Sequence, residues 1–219
     1  IGIGDHIMVY KANMIIPQIA ENLTKSGNLE FPDTCPCCQG KTQIKKMNDV
    51  EALYCINEDC PAKKLKAFTL FVSRDALNID GLSEATLEKF LAKGFIHTFG
   101  DIFRLEKFQD EIVSMEGFGK KSYDNLMQSV KKAKDTTLVR LIYGLGITGI
   151  GLANAKVLCK HFDYDIEKII AASKEDISAI EGMGEVLAKA VVDWFQKEEN
   201  RKILSDLLEN LQTTAPSVI

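Results

Sequence analysis

The sequence predicts a mainly α-helical protein in which two short strands and a small metal-held module precede a run of glycine-punctuated helices. Three observations carry this. Four cysteines fall in two close pairs within one short window, Cys35 with Cys38 and Cys55 with Cys60. From Phe68 to about Leu211 apolar residues recur with helical periodicity. Within that stretch a five-residue pattern, apolar–any–Gly–apolar–Gly or Ser, returns four times.

At 219 residues and 46% hydrophobic content the chain is long enough for a real core. It begins with Ile1 and has no basic-then-apolar leader, so it reads as a cytoplasmic piece of a longer protein. No stretch approaches the roughly 18 apolar residues of a membrane span. A net charge of −4 argues against coating a polyanion through bulk electrostatics. Any nucleic-acid contact has to be local, made by basic patches and backbone amides.

Taken in order, Ile7-Met8-Val9-Tyr10 and Ile15-Ile16-Pro17-Gln18-Ile19 alternate as strands do, and residues 24–31 are turn-rich and aperiodic. Two strands cannot fold alone. Residues 1–30 are therefore expected to pair with something outside this segment.

Residues 31–67 carry too few apolar side chains to fold without a metal. Cys35 and Cys38 are two residues apart, Cys55 and Cys60 four, with Lys41, Lys45 and Lys46 between the pairs. Two such knuckles can direct four thiolates to one Zn²⁺ at about 2.3 Å. The metal then replaces a core, and its binding is worth on the order of 10–16 kcal/mol. Cys37 lies inside the first pair and can in principle replace a neighbour, but C-x-x-C geometry favours Cys38. Cys159, on an apolar helix face, is assigned to the core, as are Trp194 and Phe195. His6, His97 and His161 receive no role.

The repeats of residues 68–211 are Ile79-Asp80-Gly81-Leu82-Ser83, Met115-Glu116-Gly117-Phe118-Gly119, Ile147-Thr148-Gly149-Ile150-Gly151 and Ile180-Glu181-Gly182-Met183-Gly184, spaced by 32 to 36 residues. In each, the central apolar residue is expected to plug the gap between two helices while the glycines allow a tight turn and leave amides uncovered. Those amides open a helix, where an anion is favoured. The chemistry is sequence-independent capture of a sugar-phosphate backbone. Gly81, Gly117, Gly119, Gly149, Gly151, Gly182 and Gly184, with Lys120, are the expected DNA-contacting residues, and the first copy is the weakest because Ser83 stands where the others have glycine. Lys121, Lys131, Lys132 and Lys134 are either further phosphate contacts or a solvated face. Residues 212–219, with Pro216, read as a tail or interdomain linker.

In this order, a four-cysteine finger and four helix-hairpin-helix motifs resemble the C-terminal part of the bacterial NAD-dependent DNA ligases. Gly4-Asp5 through Val9 to Lys11-Ala12, then Ile15-Ile16-Pro17-Gln18, looks like the end of that family's OB domain. Phe31-Pro32, Cys35-Pro36, Cys55-Ile56-Asn57 and Cys60-Pro61-Ala62 look like its zinc module, and Phe71-Val72-Ser73-Arg74 is similar too. Asn13-Met14 depart from the family's Gly-Asp. The resemblance implies a nick-sealing parent enzyme that uses NAD and Mg²⁺ through domains absent here, a nicked duplex DNA partner, adenylation and BRCT domains in the same polypeptide, no membrane partner, a monomer, and a cytoplasmic, nucleoid-associated location. No catalytic residue is expected in this segment: its one Asp-Gly, Asp80-Gly81, follows Asn78-Ile79 and lacks the lysine of a Lys-x-Asp-Gly motif. The alternatives are a helix-hairpin-helix scaffold and a subunit of another DNA repair or recombination protein, and the cysteine signature argues against both.

Overall fold

The computed structural model describes residues 1–47 and 50–215. The chain divides after Pro61 into two compact units. In the first, β1 (Ile7–Ala12) and β2 (Ile16–Asn22) form an antiparallel hairpin, with Tyr10 opposite Gln18 and a bulge between Met8 and Val9. Asn13 and Met14 close it in the left-handed region, and the Ile15 amide donates to the Ala12 carbonyl. Both faces of this hairpin lie open, with Val9, Tyr10 and Ile19 about half exposed. The strands thus form as the alternation predicts, without a core of their own. A second antiparallel hairpin, β3 (Thr42–Met47) with β4 (Val50–Cys55), sets Thr42 opposite Cys55.

The second unit is the helical one. It holds α1 (Pro61–Val72), α2 (Glu84–Ala92), a 3₁₀ segment (Phe99–Phe108), α3 (Gln109–Val113) and α4 (Lys120–Ala133). A short strand β5 (Asp135–Thr137) leads into α5 (Leu138–Gly144), α6 (Leu152–His161), α7 (Ile166–Ala171), α8 (Lys174–Ser178), α9 (Glu185–Gln196), α10 (Glu198–Asn210) and β6 (Gln212–Thr214). One continuous apolar core runs through it, from Phe71 and Phe90 through Leu141 and Leu158 to Leu207. Phe71 stacks on Phe99 with ring centroids 4.4 Å apart, and Phe68 meets the same ring edge-on at 5.1 Å. Cys159 is fully buried, and burial pushes its thiol up to about 12, as a core residue requires.

Two boundaries differ from the sequence reading. The first helix starts at Pro61 rather than near Phe68: proline suits an opening helical position, and the residues before Phe68 show little buried pattern because its early face is lysine-rich and exposed. The tail from Gln212 is not a free linker. β6 pairs in parallel with β5, Gln212 opposite Asp135 and Thr214 opposite Thr137, and the Gln212 amide donates to the Lys134 carbonyl at 2.7 Å. The partner lies 77 residues upstream, beyond the reach of local periodicity. Pro216, on which the linker expectation rested, lies outside the described residues.

A charged triad joins the 3₁₀ segment to α10. Arg104 forks onto Asp206, Nη1 to Oδ1 at 2.6 Å and Nη2 to Oδ2 at 3.0 Å, and Nη2 also donates to Asp101 at 2.9 Å. The other oxygen of Asp101 accepts from the His97 and Thr98 amides, each at 2.8 Å. Burial works to raise the Asp101 carboxyl, but the Thr98 amide, Arg104 and the His97 amide outweigh it and hold it at about 2. Gly100 lies beneath this network: a Cβ there would stand 1.7 Å from Asp206 Oδ2, so only glycine admits the carboxylate.

Removing the guanidinium leaves two part-buried carboxylates without their donor. Arg104→Gln should cost about 2 kcal/mol and lower the melting temperature by roughly 4–8 °C, read by calorimetry. Because folding depresses Asp101, its contribution is present above pH 4 and lost between about pH 4 and pH 2. An acid titration of Asp101→Asn should lack that component, and an unchanged melting temperature in Arg104→Gln would refute the network's role.

Candidate metal centre and nucleic-acid interface

The thiols of Cys35, Cys38, Cys55 and Cys60 converge, with all four sulfurs within 4.8 Å of one another. Cys38 and Cys55 Sγ are 3.5 Å apart, and Cys35 and Cys60 are buried. Cys37 is exposed and outside the cluster. The first knuckle is held by the Cys35 amide donating to the Gly40 carbonyl at 2.7 Å and by the Gln39 amide donating to the Cys35 carbonyl at 2.9 Å. Gln39 turns the chain through a left-handed φ of 56°. Gly40 is required by close approach, since a Cβ there would stand 2.9 Å from Asn57 Cβ. The second pair follows the end of β4, and the β3–β4 register brings it to the first.

This donor set fits a thiophilic ion. The backbone amides of Cys38 and Cys37 lower the Cys35 thiol. The Asn57 side chain, followed by the Gly40 amide, brings the Cys38 thiol down to about 6, whereas burial pushes Cys55 up to about 11. Four sulfurs so close together can meet a single divalent cation tetrahedrally. The β3–β4 hairpin was not anticipated from the sequence, although Gln43-Ile44-Lys45 and Ala52-Leu53-Tyr54 carry a period-two signal.

In the helical unit the four repeats share one geometry. Ile79, Met115, Ile147 and Ile180 are buried, as are the plugs Leu82, Ile150 and Met183, and Phe118 is half-buried against the core. In the last three copies the plug's amide donates back to the first apolar carbonyl at 2.9 Å: Phe118 to Met115, Ile150 to Ile147, Met183 to Ile180. The glycine between them has φ of 79°, 78° and 83°, which a type II turn demands. Gly119, Gly151 and Gly184 then precede α4, α6 and α9 in extended conformation with no side-chain cap. Among the described residues, the first two amides of each of these helices therefore have neither an intrahelical partner nor a capping oxygen.

Gly81, Gly117, Gly149, Gly151, Gly182 and Gly184 are exposed, and Gly119 is half-buried. No atom lies within 4 Å of a Cβ built on Gly117, Gly119, Gly151, Gly182 or Gly184. Gly81 is backed by Leu126 of α4 at 3.5 Å and Gly149 by Leu187 of α9 at 2.6 Å. The first hairpin of each pair thus leans on the helix of the second. In the first copy Ser83 Oγ accepts from the Thr86 amide at 3.2 Å, so that helix start supplies its own cap.

Charge further separates the copies. The first turns of α4 and α6 hold no acidic residue, whereas α2 opens with Glu84 and α9 with Glu185. An acid at that position competes with an incoming anion for the same field. Both stand immediately after their five-residue motif in the sequence, outside the pattern that defines it. Lys120 is folded back, with Nζ 2.5 Å from Asp124 and 5.7 Å from the Tyr123 ring centre. Lys121, Lys131 and Lys132 are exposed and Lys134 is half-buried.

Two family models match this unit: a SAM-like helix-hairpin-helix tandem over residues 73–132 and a helix-hairpin-helix motif over 140–204. Among curated proteins, the chain is 55% identical over 211 residues to a DNA ligase of Lachnoclostridium phytofermentans, an alignment covering 96% of this chain and 32% of that protein. It is 51% identical to a DNA ligase of Ruminiclostridium cellulolyticum (97% and 32%) and 39% identical to one of Fusobacterium nucleatum (95% and 30%). The chain spans about a third of the length of these relatives. It therefore carries two successive helix-hairpin-helix modules, preceded in sequence by a four-cysteine cluster, and along nearly all of its length it is similar to bacterial DNA ligases.

Proposed function

We propose that this chain is the DNA-holding portion of an NAD-dependent DNA ligase and grips the sugar-phosphate rails of nicked duplex without reading bases. The observation that carries the reading is the set of solvent-facing, uncapped helix starts at Gly119, Gly151 and Gly184. Phosphate oxygens satisfy those amides, and the helix dipole favours their charge. The second and third hairpins do most of this, the fourth less because of Glu185, and the first least because Ser83 and Glu84 occupy its helix start. Zn²⁺ is the ion for which Cys35, Cys38, Cys55 and Cys60 are suited, and it acts structurally, holding the two knuckles together. Adenylation with NAD and Mg²⁺, and any BRCT domain, belong to other parts of the same polypeptide. This segment contributes no nucleophilic lysine and works as a monomer in the bacterial cytoplasm, at the nucleoid. A scaffold made of the same hairpins has no need to leave the amides of three helix starts open.

Gly119, Gly151 and Gly184 have φ of −149°, −77° and −64°, so a side chain there is unstrained and projects into open space. Gly149 and Gly182 are poorer probes, since their positive φ confounds grip with folding. Gly119→Val and Gly151→Val should keep the melting temperature and each weaken binding to nicked duplex roughly tenfold or more, the loss of one charge-assisted contact. Gly184→Val should cost less and Ser83→Val little. Fluorescence anisotropy at fixed salt checks this, and duplex binding that is absent or indifferent to salt would refute the reading.

Metal analysis should return one zinc per chain. Chelation, or Cys60→Ala, should abolish the β3–β4 amide dispersion in NMR spectra while the helical circular dichroism of residues 62–215 survives on its own core. Persistence of the finger without metal would refute a structural zinc.

A further inference from the structure

A groove of about 560 Å³ runs along α6 from Leu152, beside the third glycine corner, to Lys160, with the end of β5 and the start of α5 on its other side. Lys156 and Lys160 flank it, one helical turn apart on the same side of α6. Arg140 stands across from them, pinned by its Nε donating to the Ala76 carbonyl at 2.6 Å and by Nη2 donating to the Arg74 carbonyl. The one acidic residue in the lining is Asp75.

Three lysines later in the chain are paired with carboxylates: Lys168 with Asp163 at 2.8 Å, Lys174 with Glu185 at 3.0 Å and Lys189 with Asp193 at 2.6 Å. Lys156 and Lys160 have no such partner among the described residues. Two like charges a turn apart on one helix repel each other, a cost that an anionic ligand removes. Leu152, half-buried, supplies apolar surface beside the cations, and the half-buried ring of Tyr164 borders it. Tyr164 is held there in the left-handed region at φ 57°, its amide donating to the Cys159 carbonyl at 2.8 Å.

We propose that this groove is a second nucleic-acid station, which takes a length of phosphodiester strand: phosphates on Lys156, Lys160 and Arg140, sugar or base on Leu152 and Tyr164. Charge complementarity selects the anion, and the apolar surface selects one with an organic body over free phosphate. The inference rests on the reading of the chain as a handler of DNA, but not on the hairpins as its route. It places a contact on α6 beyond the amides at Gly151, so strand passing the third hairpin, or strand freed at a nick, has somewhere further to lie.

The test uses the whole chain with its zinc. Gly119→Val, Gly151→Val and Gly184→Val are combined to block the hairpins, and a fluorescein-labelled oligothymidylate is the probe. The blocked protein should still bind it with log–log salt slope near −2.1, about 0.7 per phosphate contact for three contacts on a single strand, and should shift the Tyr164 ring resonances. Adding Lys156→Gln and Lys160→Gln, both exposed and harmless to folding, should remove the binding and the shift. With unblocked hairpins on duplex, the same two substitutions should reduce the slope by about 1.8. Failure of the blocked protein to bind oligothymidylate, or an unaltered slope after the lysine substitutions, overturns the proposal. Failure of the hairpin reading looks different: duplex affinity unmoved by the glycine substitutions while the groove signal persists.

Discussion

Everything in the helical unit turns on a backbone constraint: the third residue of each tight turn must take a left-handed φ, and glycine takes it without a Cβ penalty. Once Gly117, Gly149 and Gly182 make that turn, Phe118, Ile150 and Met183 are driven into the core and the following glycine starts a helix in the open. Burial of the plug and exposure of the amides are one event seen from two sides. The same residue pattern therefore builds the core and prepares the surface.

That coupling explains how much was legible in the sequence. The four hairpins with their plugs, and each close pair of cysteines, could be read because each depends on residues within five or six positions of one another; the meeting of the two pairs depends on the β3–β4 register. Relations across long separations were not legible. The β5–β6 pairing joins Asp135 to Gln212, and Arg104 reaches Asp206; neither leaves a local periodic trace. The start of α1 was missed for a different reason, since its lysines face solvent and present no apolar stripe until Phe68.

Electrostatics adds a layer that the motif alone does not contain. An acidic chain that handles a polyanion can do so only if its positive field is concentrated. Lys66, Lys120, Lys168, Lys174, Lys189 and Lys202 are paired with nearby carboxylates, and the open backbone dipoles of the helix starts add positive field that a count of charges does not show. The four repeats are alike in backbone and unlike in charge, so a count of motifs overstates the number of equivalent contacts.

Gly100 belongs to no repeat and sits in no turn that needs its freedom, yet Asp206 occupies the volume where any other side chain would begin. Positions 100 and 206 consequently share one small volume. A lineage that enlarges the first must shorten or relocate the second, and with it give up the fork to Arg104. The two sites thus meet through one carboxylate oxygen, although more than a hundred residues of chain separate them.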